Sequence, residues 1–375
     1  MSDDITKIAI SSIHALSYSE KQKHPVFLVT TDTNISFVLK VEGLASRWEN
    51  KDNKTVAVQA QCLTLISALY GRITQRHSKV RVLNDNEIEV LKRIAVTKFS
   101  SPAISKNQTD DATGEKTAVH AYFRESIGAT TRGGQPTSMT LVLTYEANLN
   151  ELQELKSTTA ELQCFVDFIQ SGAESVYPLG RLAAVDIFTG NNDRFTTNGE
   201  LMDGGKNIFF VSKSSTASGK REVSLLGLDN WDTFSMYSDL TKTFSANEAL
   251  ADSYKERLQV LTNPSKRKAF ATTFVKSLND ALHGKLGRND LKPISDSDLP
   301  SYVDQMDEGI RLGFDTLSIM LKKEGTFKKE YIIVDKSVKT ALKHSARMDK
   351  KATKKWRKAV EEGWDTRVAL ARSLK

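Results

Sequence analysis

Four side chains, far apart in a chain of 375 residues, have the types that phosphoryl transfer from ATP requires. That reaction needs a cation on the phosphates, oxygen ligands for Mg²⁺, and a carboxylate to orient the attacking hydroxyl. Lys40 lies late in "ISFVLKV", among Ile and Val neighbours, an odd place for a lysine unless its ammonium meets an anion. Asp193 sits in "FTGNNDRF", just past a long apolar helical run, with Arg194 beside it. Asn207 stands directly before "IFFV", and Asp229 closes the following apolar stretch "LLGLD". Each has a plainer reading when taken alone. An Asn-Asp-Arg run after a helix is ordinarily a cap and turn, and a strand lysine ordinarily snorkels at a sheet edge. What carries weight is their order: a lysine on an early strand, an aspartate in a loop, an asparagine before a strand, an aspartate after the next.

The elements that must position them can be read from spacing. "KIAISSI", "PVFLVTT" and "ISFVLKVEG" are rich in β-branched and aromatic residues and are punctuated by polar turns, which predicts antiparallel strands. "TVAVQAQCLTLISALYG" and "DNEIEVLKRIAVTK" have helical length and spacing. Polar residues 100–117 read as a loop, and "TAVHAYFRES" and "TSMTLVLTYEA" as strands flanking a hairpin tip at Gly133 and Gly134. Beyond that the pattern changes. "LNELQELKSTTAELQCFVDFIQS" and "SVYPLGRLAAVDIFTG" read as helices, "NIFFVSK" and "REVSLLGLD" as a short hairpin, and nearly everything after residue 246 as helix. The expected class is α+β, a bilobal arrangement of a β-rich N-terminal lobe (1–146), a larger helical lobe (147–335) and a basic helical segment (336–375).

Composition removes several classes of function. Hydrophobic residues at 39% and charged residues at 26% are ordinary globular values. No apolar run approaches the roughly 20 residues that span a bilayer, so the chain is not expected to be transmembrane. The two cysteines, Cys62 and Cys164, lie within apolar helical patterns and read as buried thiols. Six scattered histidines offer no zinc spacing, and no GxSxG or phosphate-loop lysine motif occurs. The first ten residues, "MSDDITKIAI", lack a secretory pattern, which makes the cytoplasm the expected location, with delivery to a host cell by a signal-less route left open. Net charge is +7. Its excess gathers between Lys339 and Lys358, where the helical tail carrying Trp356 and Trp364 either packs on the body or meets an acidic partner or anionic surface. Nothing indicates sequence-specific nucleic-acid binding.

"VDIFTGNNDRF" resembles the catalytic segment of atypical kinases: the actin-fragmin kinase family, the secreted Golgi-type kinases, the HipA toxins and the phosphatidylinositol kinases. With "GGKNIFFV" and "LLGLDN" following, the run 179–230 is most similar to the actin-fragmin kinase branch. The resemblance implies a protein-kinase-like fold using ATP and Mg²⁺. It makes Asp193 the catalytic aspartate braced by Arg194, Asp229 and Asn207 metal ligands, and Lys40 the contact to the α- and β-phosphates. Asn198, five residues after Asp193, matches the spacing of the HipA and lipid kinases and is the alternative ligand; Asn207 is preferred because a strand holds it against Asp229. "MTLVLTYEANLNEL" resembles the hinge, so that backbone groups of Thr144, Tyr145, Glu146 and Ala147 would meet the adenine edge.

Two departures accompany the resemblance. The helix after the lysine strand carries no acid to pair with Lys40. Gln59 or Gln61 occupies the place, unless Glu87 or Glu89 of the next helix substitutes. There is also no GxGxxG, so "SSIHALSYSEKQ" would have to cover the phosphates with serines and backbone donors. The expected function is a protein Ser/Thr kinase. A phosphoinositide kinase, or a weakly active relative that binds nucleotide or a partner, are the alternatives.

Overall fold

The structure, a computed structural model, describes residues 4–17, 25–43, 56–74, 80–98, 123, 125–127, 138–146, 148–157, 159–214, 221–228, 244–287, 292–322, 336 and 350–374. The chain divides into two compact units. One comprises Met1–Leu65, Lys79–Tyr145 and Tyr331–Arg357, and the other Ile66–Ser78, Glu146–Glu330 and Lys358–Lys375. Strands dominate the first and helices the second, so the chain has the α+β class expected of it.

In the first unit, strands β1 (Ile10–Ser17), β2 (Val26–Thr31), β3 (Ser36–Gly43), β4 (Val80–Val82) and β5 (Ser138–Thr144) form one sheet in the order β1-β2-β3-β5-β4, every pair antiparallel. Alternation along β3 buries Phe37, Leu39 and Val41 in one cluster with Phe27, Val29 and Ile13, and helix α2 (Asp85–Lys98) adds Ile88 and Leu91 to it. Helix α2 begins with a capping box. The Glu87 N–H donates to Asn84 Oδ1 at 2.9 Å, and Glu87 Oε2 accepts from the Asn84 N–H at 3.0 Å. The other Glu87 oxygen accepts from Arg81 at 2.8 Å and from the Ile5 N–H at 3.0 Å.

The sequence reading needs two corrections here. The described residues of "TAVHAYFRES", Phe123, Glu125 and Ser126, are helical rather than extended, and Phe123 sits edge-on to Phe27 at 4.8 Å. A buried aromatic anchor has overridden a local strand preference. Strand β4 went unread because three residues are too few to show alternation. Residues 100–117 and the glycine pair 133–134 lie outside the described residues.

In the second unit a three-stranded antiparallel sheet, β6 (Leu149–Glu151), β7 (Phe209–Ser214) and β8 (Arg221–Leu226), accompanies helices α3 (Ala160–Gln170), α4 (Tyr177–Thr189), α5 (Glu248–Thr262), α6 (Pro264–Leu286) and α7 (Leu299–Lys322). The last turns of α1 (Val56–Ile73) and of α8 (Lys350–Ser373) also belong to it. Residues 149–159 are not the start of a helix, as their pattern suggests: 149–151 pair with β7, Leu152–Glu154 form a 3-10 turn, and helix begins only after the Thr159 cap. The left-handed backbone of Asn148, at φ 61°, interrupts any helix upstream.

Helix α4 is buried from Leu182 to Thr189 without a break, as a mostly apolar circumference requires of a central helix, and Asp186 is the one charged side chain in that stretch. Glycines let a neighbour approach it closely. A methyl on Gly180 would lie 2.5 Å from the Met306 carbonyl oxygen, and one on Gly309 of α7 would overlap the Tyr177 carbonyl. The tail reading also resolves in this unit. Trp364 and Arg367 of α8 are buried, and Arg367 donates to the Phe188 carbonyl at 3.3 Å, so this part of α8 is core. The Trp356 side chain lies outside the described residues. Cys164 is buried, as its apolar helical setting implies. Among the described residues no helix is long and apolar enough to cross a membrane.

Candidate functional site

Helix α4 ends in a Schellman motif. Gly190 is left-handed at φ 70°, its N–H donates to the Ile187 carbonyl at 3.4 Å, and the Asn191 N–H donates to the Asp186 carbonyl at 2.9 Å. The reversal throws "NNDRF" out of the helix and back across its end. Asn191, buried, then does two jobs. Its amide donates to Asp186 Oδ1 at 3.1 Å, and its Oδ1 accepts the Asp193 N–H at 3.1 Å. Asp193 is thereby held by its backbone while its side chain is exposed, and among the described residues its carboxylate has no hydrogen-bond partner.

Arg194 points the other way and is fully buried. Nη1 pairs with Asp186 Oδ1 at 2.7 Å, Nε donates to the Asn207 carbonyl at 2.9 Å, and Nη2 donates to the Leu228 carbonyl. The last two acceptors sit at the same end of the β7–β8 hairpin. Phe209 pairs with Leu226, so the strands enter and leave on one side. One guanidinium therefore ties the Asp193 loop to the entry of β7 and the exit of β8. Its planar fork of fixed donors suits this three-way tie. Asp229 follows Leu228 and lies outside the described residues.

Asp186 is the anchor of this network. Its Oδ1 also accepts from the Tyr70 hydroxyl, contributed by α1, and the Arg194 guanidinium lies 5.5 Å from the Tyr70 ring centroid. Burial, then the neighbouring Asp186 charge, push the Tyr70 hydroxyl upward, which keeps it a donor. Burial likewise pushes the Asp186 carboxyl above the usual carboxylate range, with Arg194 opposing. Arg257 of α5 donates to the Asn191 carbonyl and, at 3.4 Å, to that of Asp186; burial holds its guanidinium below its ordinary value. From the sequence, Asp186, on the helix before the loop, reads equally as a brace for that loop or as a solvated residue, and Tyr70, Asn191 and Arg257 carry no signal of a role. Tyr70 and Arg257 come from helices remote in sequence, with no local signal to connect them.

The two candidate asparagine ligands have different settings. Asn198 is exposed at the tip of a tight turn, where the Thr196 N–H donates to the Glu200 carbonyl at 2.9 Å and Phe195 bridges Leu201. Asn207 is buried, at 8% exposure, and left-handed at φ 57°. Its backbone N–H donates to Glu151 Oε1 at 2.7 Å and its carbonyl serves Arg194, while among the described residues its side-chain amide makes no hydrogen bond. The donors proposed for a cation are all oxygens, which suits Mg²⁺. Among the described residues no group of three His, Cys, Asp or Glu side chains holds an ion unaided. An ion shared between one or two protein oxygens and phosphates needs no such cage.

In the first unit, Lys40 lies on the face of β3 opposite the core. Its cross-strand partners are Val26 and Leu141, and Val38, Leu28 and Leu143 continue the same face. Val26, Leu28, Val38 and Leu143 are half-buried, so an ammonium stands amid partly exposed apolar surface. Lys40 Nζ pairs with Glu42 Oε1 at 2.8 Å, the two side chains being 22% and 12% exposed. The acid missing from the following helix is thus met on the lysine's own strand, two residues on. Of the substitutes considered earlier, Glu87 is committed to Arg81 and the helix cap, and Glu89 lies 3.6 Å from Lys92. The side chains of Gln59 and Gln61 lie outside the described residues, as do residues 18–24 of the proposed phosphate cover. Thr144 ends β5 opposite Phe37, Tyr145 is exposed, Glu146 is half-buried, and Ala147 lies outside the described residues.

No protein-family model matches the chain, and no curated protein matches it. Among solved structures, the chain is similar to one titled as the crystal structure of the Golgi casein kinase. The two are 12% identical, with a TM-score of 0.28 over 91% of this chain and 75% of that one.

Proposed function

We propose that this chain is an ATP- and Mg²⁺-dependent phosphotransferase of the protein-kinase-like superfamily, of the actin-fragmin kinase type, acting on hydroxyl groups of a protein. The observation that carries the reading is the Arg194 tie. The loop bearing Asp193, the asparagine before β7 and the residue preceding Asp229 are bound by one buried guanidinium, and three of the four residues singled out by order in the sequence belong to those segments.

Asp193 orients the acceptor hydroxyl and takes its proton, a task suited to an exposed carboxylate on a braced backbone. Asn207 and Asp229 supply oxygen ligands, and the bound Mg²⁺ would neutralise charge on the phosphate oxygens. Lys40 binds the α- and β-phosphates, its ammonium directed by Glu42, and the apolar face around it receives the purine. Backbone groups of Thr144, Tyr145, Glu146 and Ala147 meet the adenine edge. Arg194, with its donors spent on Asp186, Asn207 and Leu228, positions the site and does not touch substrate.

Transfer of label from γ-labelled ATP tests this, with Mg²⁺ present and with protein and phosphoinositide acceptors offered in parallel. Label in protein hydroxyls, falling at least about 100-fold in Asp193→Ala, is the expected result. Label appearing only in lipid would reassign the acceptor. Transfer indifferent to Asp193, or no turnover of ATP at all, would end the phosphotransferase reading.

A further inference from the structure

The turn leading into β7 has an unusual backbone. Asp203, Gly204, Gly205 and Asn207 have φ of 45°, 70°, 112° and 57°. A left-handed asparagine is tolerated better than most residues, yet a run of such conformations persists only where its surroundings enforce it. The surroundings come from the end of β6. Glu151 pairs with Phe209 in the ladder, the Leu152 N–H donates to the Ile208 carbonyl at 2.9 Å, and Leu152 packs so closely that a methyl on Gly205 would lie 2.7 Å from it.

Within this grip Asn207 is treated specially. Its N–H is taken by the Glu151 carboxylate at 2.7 Å and its carbonyl by the Arg194 guanidinium at 2.9 Å. Both main-chain groups of one residue are thus held by charged side chains, bonds stronger than neutral ones. The outcome is a buried residue whose backbone has no freedom and whose amide is left without a hydrogen bond among the described residues. The Glu151 side chain thus supplies the acceptor that this N–H requires and, in doing so, fixes the residue that carries the amide.

We infer that Glu151 is a positioning residue that fixes Asn207 to present its amide oxygen to a divalent cation. This rests on the phosphotransferase reading and deepens it.

The test measures Mn²⁺ bound in the presence of ADP, by electron paramagnetic resonance, in the parent chain and in Glu151→Ala, Glu151→Gln and Asn207→Ala. Nucleotide affinity in EDTA and melting temperature are followed alongside. Glu151→Ala weakens Mn²⁺ about tenfold, the range found when a group supporting a metal ligand is lost, while metal-free nucleotide binding is unchanged. Glu151→Gln, which keeps an acceptor for the Asn207 N–H, restores most of the affinity. Should the alanine variant fail to fold, Glu151→Asp, one methylene short, carries the same expectation. If Asn207→Ala loses Mn²⁺ and Glu151→Ala does not, or if glutamine fails to rescue, the role of Glu151 is refuted while the phosphotransferase reading stands. If the parent chain binds no Mn²⁺ with ADP, both fall together.

Discussion

Asp193 and Arg194 are neighbours with opposite fates: one carboxylate is exposed and unpartnered among the described residues, and one guanidinium is buried with Asp186. Their substitutions should therefore separate function from stability. Asp193→Ala removes an exposed group and should leave folding stability within about 0.5 kcal/mol. Arg194→Met strands the buried Asp186 carboxylate and releases two carbonyls, and should cost about 3–5 kcal/mol, read from urea denaturation of the two variants side by side. Both residues could be singled out in the sequence because a polar run directly after an apolar helix is locally conspicuous. Nothing local distinguishes the side chain that turns outward from the one that turns inward. Tyr70 could not have been found, since its link to Asp186 spans 116 positions and a tyrosine within an apolar helix reads as ordinary core.

At the scale of elements, the long strands and helices announced themselves through period, and the short ones did not. Helix α2 follows its pattern over its full length, whereas β4 and β6 are three residues each, too short to show a period and formed only because a neighbouring strand offers hydrogen bonds. The packing of α4 on α7 was equally silent, because a glycine in a helical pattern signals either a close approach or nothing. Gly309→Ala forces a methyl against the Tyr177 carbonyl. The helix that carries the Asp193 loop must then shift, with a loss of about 1–3 kcal/mol. Thermal denaturation checks this, and a fall in melting temperature should come with weakened nucleotide turnover because α4 supports Asp186.

For the whole molecule, the basic tail shows how composition can mislead. Its charge invites a docking role, yet its last turns are built into the helical unit through Trp364 and Arg367. Trp364→Ala should therefore destabilise the fold by about 3–5 kcal/mol, measured by calorimetry, instead of merely weakening attachment to an anionic partner.

The α+β class, the long elements and the identity of the chemically able residues follow from the sequence itself, because strand and helix periods and side-chain types are local properties. Tertiary structure alone decided that Tyr70 and Arg257 close around the end of α4 at Asp186 and that Glu151 reaches Asn207. Those choices depend on the meeting of segments distant along the chain, where the low dielectric of the interior makes pairing of buried polar groups obligatory without the local sequence naming the partner.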